Sequence, residues 1–208
     1  MRQLVRDGVA LAFEDVGRGA PPVLLIHDLG DDHSSFTQQI EHFRRGHRVV
    51  AVDLRGHGES GGPEGSHTIA ESADDLAWLC YELGVYMPAV VGHGLGGAIA
   101  LELATRYPEL PAAVVALDAP IGSLVETGAA SESEVACCLV PVLYVEAGSE
   151  AAYLGHLRER CPRLTVSRFE EAGHLLHLEW PDQINALIDS FLASPEQEWW
   201  LARDISQQ

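Results

Sequence analysis

Short, fully apolar runs recur along the chain, separated by longer stretches in which apolar residues return every three or four positions. Val23-Leu24-Leu25-Ile26, Val49-Val50-Ala51-Val52 and Ala112 to Leu117 are runs of the first kind, and Pro141 to Glu146 is apolar up to its final glutamate. They read as strands buried on both faces. Leu4 to Arg6 and Val9 to Val16 flank Asp7-Gly8, which reads as a hairpin turn. Helical spacing predicts helices over Ser34–Phe43 (capped by Ser34 or Ser35), Thr68–Leu83 (stopped by Gly84), Ala98–Tyr107, Ala151–Cys161 and Asp182–Leu192. Leu164 to Phe169 reads as an edge strand. A hairpin followed by alternating strands and helices predicts an α/β protein. Its sheet is mostly parallel, with an N-terminal antiparallel hairpin and helices on both faces. The pattern contains no repeat and no low-complexity segment. It fits one domain over 1–195, a connection over about 119–139 too short for a helical lid, and a polar tail over 196–208.

The densest local signal lies in Val90-Val91-Gly92-His93-Gly94-Leu95-Gly96-Gly97-Ala98. A buried strand runs into a glycine-rich turn and then a helix that starts with small residues. Those small residues let helix and strand approach closely. Such a turn presents its middle side chain at the top of a sheet, beside a helix N-terminus. Here the middle residue is Gly94, which has no side chain to present.

This segment resembles the Gly-x-Ser-x-Gly nucleophile elbow of the α/β-hydrolase fold, with Gly92 and Gly96 at the outer positions and Gly94 where that family carries its serine. Three further motifs support the resemblance, which extends over roughly residues 2–193. His27-Asp28-Leu29-Gly30 resembles the family's loop after the third strand. Asp53-Leu54-Arg55-Gly56-His57-Gly58-Glu59-Ser60 resembles its Asp-x-Arg-Gly-x-Gly-x-Ser loop. Gly173-His174, ahead of the last helix, resembles its Gly-His loop.

The resemblance implies an α/β-hydrolase fold without a cap domain and assigns roles residue by residue. His174 matches the catalytic histidine. Glu150 matches the acid that orients it, with Asp118, at the end of the previous strand, as the alternative. The backbone N–H groups of Leu29 and Leu95 match the oxyanion donors. His27 and Asp28 neighbour the pocket, as does His93, which alternation turns away from residue 94 into the fold. His27 is expected to organise its loop, His177 to pack near His174, and Asp53 to pair with Arg55. Asp28 departs from the family, which has glycine there. A carboxylate beside an anion-binding loop is unfavourable unless it points away, which counts against ester chemistry. The space left by Gly94 would then hold water or substrate.

Composition narrows the function classes. A formal net charge of −18 over 208 residues argues against nucleic acid and anionic membranes as partners. No apolar run is long enough to span a bilayer. The N-terminal stretch lacks the apolar core of a signal peptide, so a cytoplasmic location is the expectation. The sequence contains no lysine, which excludes Schiff-base chemistry on a lysine. Cys80, Cys137, Cys138 and Cys161 form no Cys-x-x-Cys and are expected to be reduced packing residues. The ten histidines are scattered without ligand spacing on a helix, and no dinucleotide fingerprint follows the first parallel strand. Neither a metal nor an organic cofactor is therefore expected. A small-molecule carbonyl compound or ester is the expected substrate, and a homodimer is one assembly the apolar Trp199-Trp200-Leu201 hook allows.

Three functions fit these residues. The leading one is an enzyme without an acyl-enzyme step, in which His174 acts as general acid or base and the backbone donors stabilise an oxyanion. The second is an ester or thioester hydrolase inactivated at Gly94, by nature or by substitution. The third is a binding or scaffold protein that kept the fold.

Overall fold

The computed structural model describes residues 1–62, 68–120, 140–148, 157–159 and 161–194. Eight strands form one sheet: β1 Arg2–Arg6, β2 Val9–Gly17, β3 Val23–Ile26, β4 Arg48–Val52, β5 Ala89–His93, β6 Ala113–Leu117, β7 Val142–Ala147 and β8 Leu164–Phe169. Their spatial order is β1-β2-β4-β3-β5-β6-β7-β8. β1 pairs antiparallel with β2, and β2 antiparallel with β4; every other pairing is parallel. Asp7 and Gly8 close the hairpin with φ of 49° and 81°, the conformation that matches strand twist.

Alternation along the strands builds two cores. Leu24, Ile26, Val50, Val52, Val90, Val114 and Val142 face one side and pack beneath α2 (Ile69–Leu83) and α3 (Leu95–Arg106). Val23, Leu25, Val49, Val91, Val115, Leu143 and Val145 face the other, beneath α1 (Thr37–Phe43) and the last helices, α4 (Leu176–Glu179) and α5 (Pro181–Leu192). Consecutive residues of one strand thus serve opposite cores, as the period of a strand requires.

Several helix ends follow from the sequence. Thr68 caps α2: its hydroxyl accepts from the Glu71 N–H, and the Glu71 carboxylate accepts from the Thr68 N–H. Gly84 ends the helix with a left-handed φ of 60°. The first helical segment differs from expectation. It opens with a 3-10 turn over His33–Phe36, and its cap is Asp32, whose carboxylate accepts from the Ser34 N–H, not Ser34 or Ser35. A charged acceptor there outcompetes a hydroxyl. α3 starts at Leu95 rather than Ala98, because Gly96 and Gly97 are helical despite their low propensity. A Cβ on Gly96 would collide with the carbonyl oxygens of Ile26 and His27, so glycine is what lets α3 sit against the end of β3. The Ala151–Cys161 helix and the 119–139 connection fall largely outside the described residues. Cys80 and Cys161 are buried free thiols, and burial pushes the Cys80 thiol up to about 12. Cys137 and Cys138 lie outside the described residues. No helix among the described residues is long and apolar enough to cross a membrane.

The chain leaves β3 for β4 on one side and returns to β5 on the other. A crevice opens outside the carboxyl ends of β3 and β5, where open α/β sheets bind ligands. The loop after β4 braces its rim, by other pairs than expected. Asp53 does not pair with Arg55. Its Oδ1 accepts from the His33 N–H at 2.8 Å and lies 2.7 Å from His33 Nδ1, while Oδ2 accepts from the Glu59 N–H at 2.8 Å. Arg55 instead grips Asp75 of α2 with two nitrogens, at 2.8 and 2.6 Å, and Arg6 of β1 donates to the same carboxylate at 2.8 Å. Asp75 is buried, so it offers a less hydrated and more rigid partner than a loop residue. Asp75→Ala should leave two arginines without their shared anion and lower unfolding stability by about 3–5 kcal/mol in a denaturant titration.

Candidate active site at the carboxyl ends of β3, β5 and β6

Gly94 lies between β5 and α3 with φ 52° and ψ −121°, a conformation costly for any residue with a side chain. A Cβ placed on it would overlap the carboxyl carbon and both oxygens of Asp28. The gap left by the missing serine is therefore filled. Asp28 does not point away. Its carboxylate enters the elbow, where Oδ1 accepts from the Leu95 N–H at 2.6 Å and Oδ2 lies 2.9 Å from His174 Nε2. The repulsion expected of a carboxylate here is absent because it meets hydrogen-bond donors at a helix N-terminus and a cationic ring. The space expected to hold water or substrate belongs to this side chain.

His174 bridges two carboxylates. Its Nδ1 lies 2.7 Å from Oδ2 of Asp118, and its Nε2 faces Asp28. Asp118 ends β6 with φ 45°, an uncommon conformation for a residue other than glycine. That turn is held by the Asp118 Oδ1, which accepts from the Ala147 N–H at 3.1 Å. Of the two acids expected to orient the histidine, Asp118 is the one in contact with it; Glu150 lies outside the described residues.

Three more histidines hold these groups in place. His27 is fully buried. Its Nε2 accepts from the Leu54 N–H at 2.9 Å, and Nδ1 donates to the carbonyl of Asp28 at 2.6 Å. It thus ties the loops after β3 and β4 together, as expected of a loop-organising residue. His93 turns into the fold, where its Nε2 donates to the carbonyl of His174 at 2.8 Å. Its ring lies tilted against His174, with centroids 4.5 Å apart, and against His177, at 4.3 Å. His177 in turn lies against Phe36. Burial lowers the pKa of His27 and His93 and pushes His177 down to about 3, so all three are neutral at physiological pH.

The two groups that touch across the elbow are shifted in opposite directions. Burial works against the charged form of Asp28. Hydrogen bonds from His174 and from the N–H groups of Leu95 and Leu29 outweigh it and hold the carboxyl below its ordinary range. Partial burial works against the imidazolium of His174, whose side chain is 48% exposed. Hydrogen bonds to Asp118 and Asp28, with their negative charges, outweigh it and raise its pKa. Both shifts favour the charged pair, the imidazolium of His174 against the carboxylate of Asp28.

Two groups of side chains could gather around a cation: Asp28, His93 and His174, and Asp32, His33 and Asp53, each with donor atoms within 4.8 Å of one another. In both, the carboxylates that would bind the ion already accept hydrogen bonds: Asp28 from Leu95 and His174, and Asp53 from His33 and Glu59.

Residues 21–136 match the family model described as the alpha/beta hydrolase fold. The chain belongs to the α/β-hydrolase fold family. Among curated relatives, it is 35% identical over 116 residues to the dihydrolipoyllysine-residue acetyltransferase component of the acetoin cleaving system of Cupriavidus necator, covering 56% of this chain and 31% of that one. It is 33% identical over 120 residues to bifunctional epoxide hydrolase 2 of Sus scrofa, covering 56% of this chain and 21% of that one. The matches thus span less than a third of either relative's length. The enol-lactonase of Burkholderia xenovorans superposes with a TM-score of 0.79 over 93% of this chain and all of the other, at 20% identity, a likeness of fold.

The inward seat of Asp28 is what sequence reasoning missed. The signal was present as two departures from the family pattern of opposite sense: a side chain lost at Gly94 and a carboxyl gained at Asp28. β3 and β5 pair in parallel, Ile26 beside Gly92, so the residues two places beyond each strand pair meet.

The opposite shifts set a pH window. His174 has its folded pKa raised, so its contribution to stability is complete below its ordinary value and is lost as pH rises through the raised one. Asp28 has its folded pKa depressed, so its contribution is present above its ordinary value and is lost as pH falls through the depressed one. In an NMR titration of the imidazoles, His174 should titrate above the usual histidine range, and Asp28→Asn should move it down; a His174 resonance indifferent to Asp28→Asn would refute the ion pair.

Proposed function

We propose that this chain is an α/β-hydrolase-fold enzyme that works without a serine and without an acyl-enzyme. His174, oriented by Asp118, moves protons at Nε2, and Asp28 supplies the reactive carboxylate at the place of the nucleophile. The single observation that carries this reading is the seat of the Asp28 carboxylate between the Leu95 N–H and His174 Nε2. A protein kept only as a scaffold has no use for a partly exposed histidine held between two acids, one of them in a costly backbone conformation. An oxyanion hole waiting for a substrate carbonyl is disfavoured, because the Leu95 N–H already has an anion.

The substrate class follows from charge. Asp28 and Asp118 flank His174, and Asp31 and Asp32 follow on the same loop as Asp28, so an anionic substrate would be repelled. A cavity of about 430 Å³ opens beside the loop that carries Asp28, lined among others by Leu29, Asp31, His57 and Gly58. Leu29 and Leu175, next to Asp28 and His174 in the chain, are exposed apolar side chains. A small, neutral, partly apolar substrate suits this setting. The epoxide hydrolase and lactonase among the similar proteins make epoxides and lactones reasonable first probes.

A second reading keeps some support. The Gly92 and Gly96 frame, the Leu95 N–H and the His174–Asp118 pair are the parts a serine enzyme needs, which fits an ester hydrolase inactivated at its nucleophile. The wild-type chain separates the two readings when assayed against neutral esters, lactones and epoxides. Turnover that falls on the order of 10²–10⁴-fold or more in His174→Ala and in Asp28→Asn is expected under the proposed function. Absence of turnover on every class, or indifference to both variants, sinks it.

The elbow geometry yields a companion prediction. Gly94→Ser alone should produce no esterase, since its Cβ meets the Asp28 carboxyl. Gly94→Ser combined with Asp28→Gly frees the Leu95 N–H and should raise hydrolysis of activated acyl esters by about 10³-fold or more over either single variant, read as initial rates.

A further inference from the structure

We infer that Asp28, His93 and His174 form a binding site for a divalent transition metal ion, with zinc the best fit, and that this ion competes with proton transfer by Asp28 and His174. The site stands on geometry; its effect on proton transfer rests on the proposed function.

Donor atoms of the three side chains lie within 4.8 Å of one another. Two imidazoles and one carboxylate are a donor set that suits zinc. The state of each ligand nitrogen is fixed by what the other nitrogen of its ring does. His93 Nε2 carries the proton, because it donates to the carbonyl of His174 at 2.8 Å. The neutral ring therefore has a bare lone pair on Nδ1. That atom is buried and has no hydrogen-bond partner, in a side chain that solvent does not reach. A buried acceptor without a donor carries a cost that an ion removes. His174 is held in the complementary way. Its Nδ1 donates to Asp118 at 2.7 Å, which leaves Nε2 as the ligand nitrogen once its proton is gone. A histidine that binds a metal through one nitrogen almost always donates the other N–H to a carbonyl, a carboxylate or water. His93 has the first of these partners and His174 the second.

Asp28 fits as the third ligand. Oδ1 keeps the Leu95 N–H at 2.6 Å, and Oδ2 faces His174 Nε2 at 2.9 Å. The ion takes the place of the proton between them. It binds Oδ2, Nε2 and the Nδ1 of His93, and the Nε2 proton of His174 passes to solvent. Metal–ligand distances of about 2.0–2.2 Å in a tetrahedron set the ligand atoms roughly 3.3 Å apart, so Asp28 and His174 separate slightly and close on His93. His174 has the freedom to do so, since its side chain is 48% exposed, and the same exposure gives the ion a way in. The fourth position is left to water. The second group, Asp32, His33 and Asp53, lacks these features: Asp53 accepts from the His33 N–H and Nδ1 on one oxygen and from the Glu59 N–H on the other. The three ligands come from the loop after β3, the end of β5 and the loop after β8, so no spacing along one helix announces them. With Oδ2 and Nε2 both on the ion, neither can carry a proton.

The test uses the full wild-type chain, freed of metal with a chelator and titrated with cobalt(II) and with zinc. Cobalt should bind at one equivalent with the strong visible absorption of a four-coordinate ion, and zinc should displace it. In the cobalt form, proton NMR should show two hyperfine-shifted exchangeable signals, from the Nε2–H of His93 and the Nδ1–H of His174. Asp28→Asn, His93→Ala and His174→Gln should each weaken binding by more than the roughly 10–100-fold that loss of an outer partner costs, and Asp118→Asn by about that factor. His33→Ala should leave the affinity unchanged. Binding that survives Asp28→Asn and His174→Gln, binding lost in His33→Ala, or a cobalt form without the visible bands or the two signals overturns the site. Should His93→Ala fail to fold, the exchangeable signals of the wild-type protein decide whether His93 is a ligand. Zinc at full occupancy should abolish any turnover that the metal-free chain shows on neutral substrates, and chelation should restore it; turnover indifferent to bound zinc overturns the competition. A metal-free chain without turnover sinks the acid–base reading, and the binding measurements then decide the site on their own.

Discussion

The site depends on one partly buried contact: the Asp28 carboxylate against the Leu95 N–H and the His174 imidazole. A charged group leaves water only where hydrogen bonds and an opposite charge repay the loss. Three arrangements provide that here. Gly94 vacates the volume, α3 aims an unpaired N–H at it from a helix N-terminus, and His174 arrives from the loop after β8 with a cationic face. Without the helix end or the imidazolium, burial would drive the carboxyl toward its neutral form.

The neighbouring histidines make that contact reproducible. His27 holds the Asp28 carbonyl, and His93 holds the His174 carbonyl. Each fixes the backbone of one partner, so the side chains lose little further freedom when they meet. Their burial keeps them neutral, as it does His177, so four neighbouring rings do not compete for charge. His174, the ring between the two acids, is the one whose protonated form its neighbours favour.

Much of this frame is legible in the sequence, because strands announce themselves locally. The apolar runs, the Asp7-Gly8 hairpin, the Thr68 capping box and the Gly84 stop each need only a few adjacent residues. The Gly92–Gly96 elbow and the Gly173-His174 loop are local too. What could not be read is pairing at a distance among many equivalent partners. The chain has 31 acids and 13 arginines, so every arginine has a choice. Arg55 takes the buried Asp75 of α2, which Arg6 of β1 shares, and not its near neighbour Asp53, whose oxygens are taken by His33 and Glu59. Asp118 could be named beforehand only as an alternative, since its contact with His174 follows from the left-handed turn at the end of β6. Asp28 was misjudged for the same reason: its environment comes from β5 and β8, not from its own loop.

Gly94 and Asp28 are best understood as a single unit. With a serine at 94, the Asp28 carboxyl would have no place to go, and its ejection would strip His174 of one acid. With a glycine at both positions, the Leu95 N–H would lose its acceptor, and a void would open at the head of α3. Either change alone therefore damages the site, while the two together refill it at nearly constant volume. Complementary changes of this kind couple energetically, since the cost of one is removed by the other. The exchange does more than conserve packing. A neutral hydroxyl needs a base before it can attack, whereas the Asp28 carboxyl is held toward its anionic form by the donors it meets. The chemistry proposed for the site rests on that exchange: a carboxyl group supplied by the loop after β3 in place of a hydroxyl at the elbow.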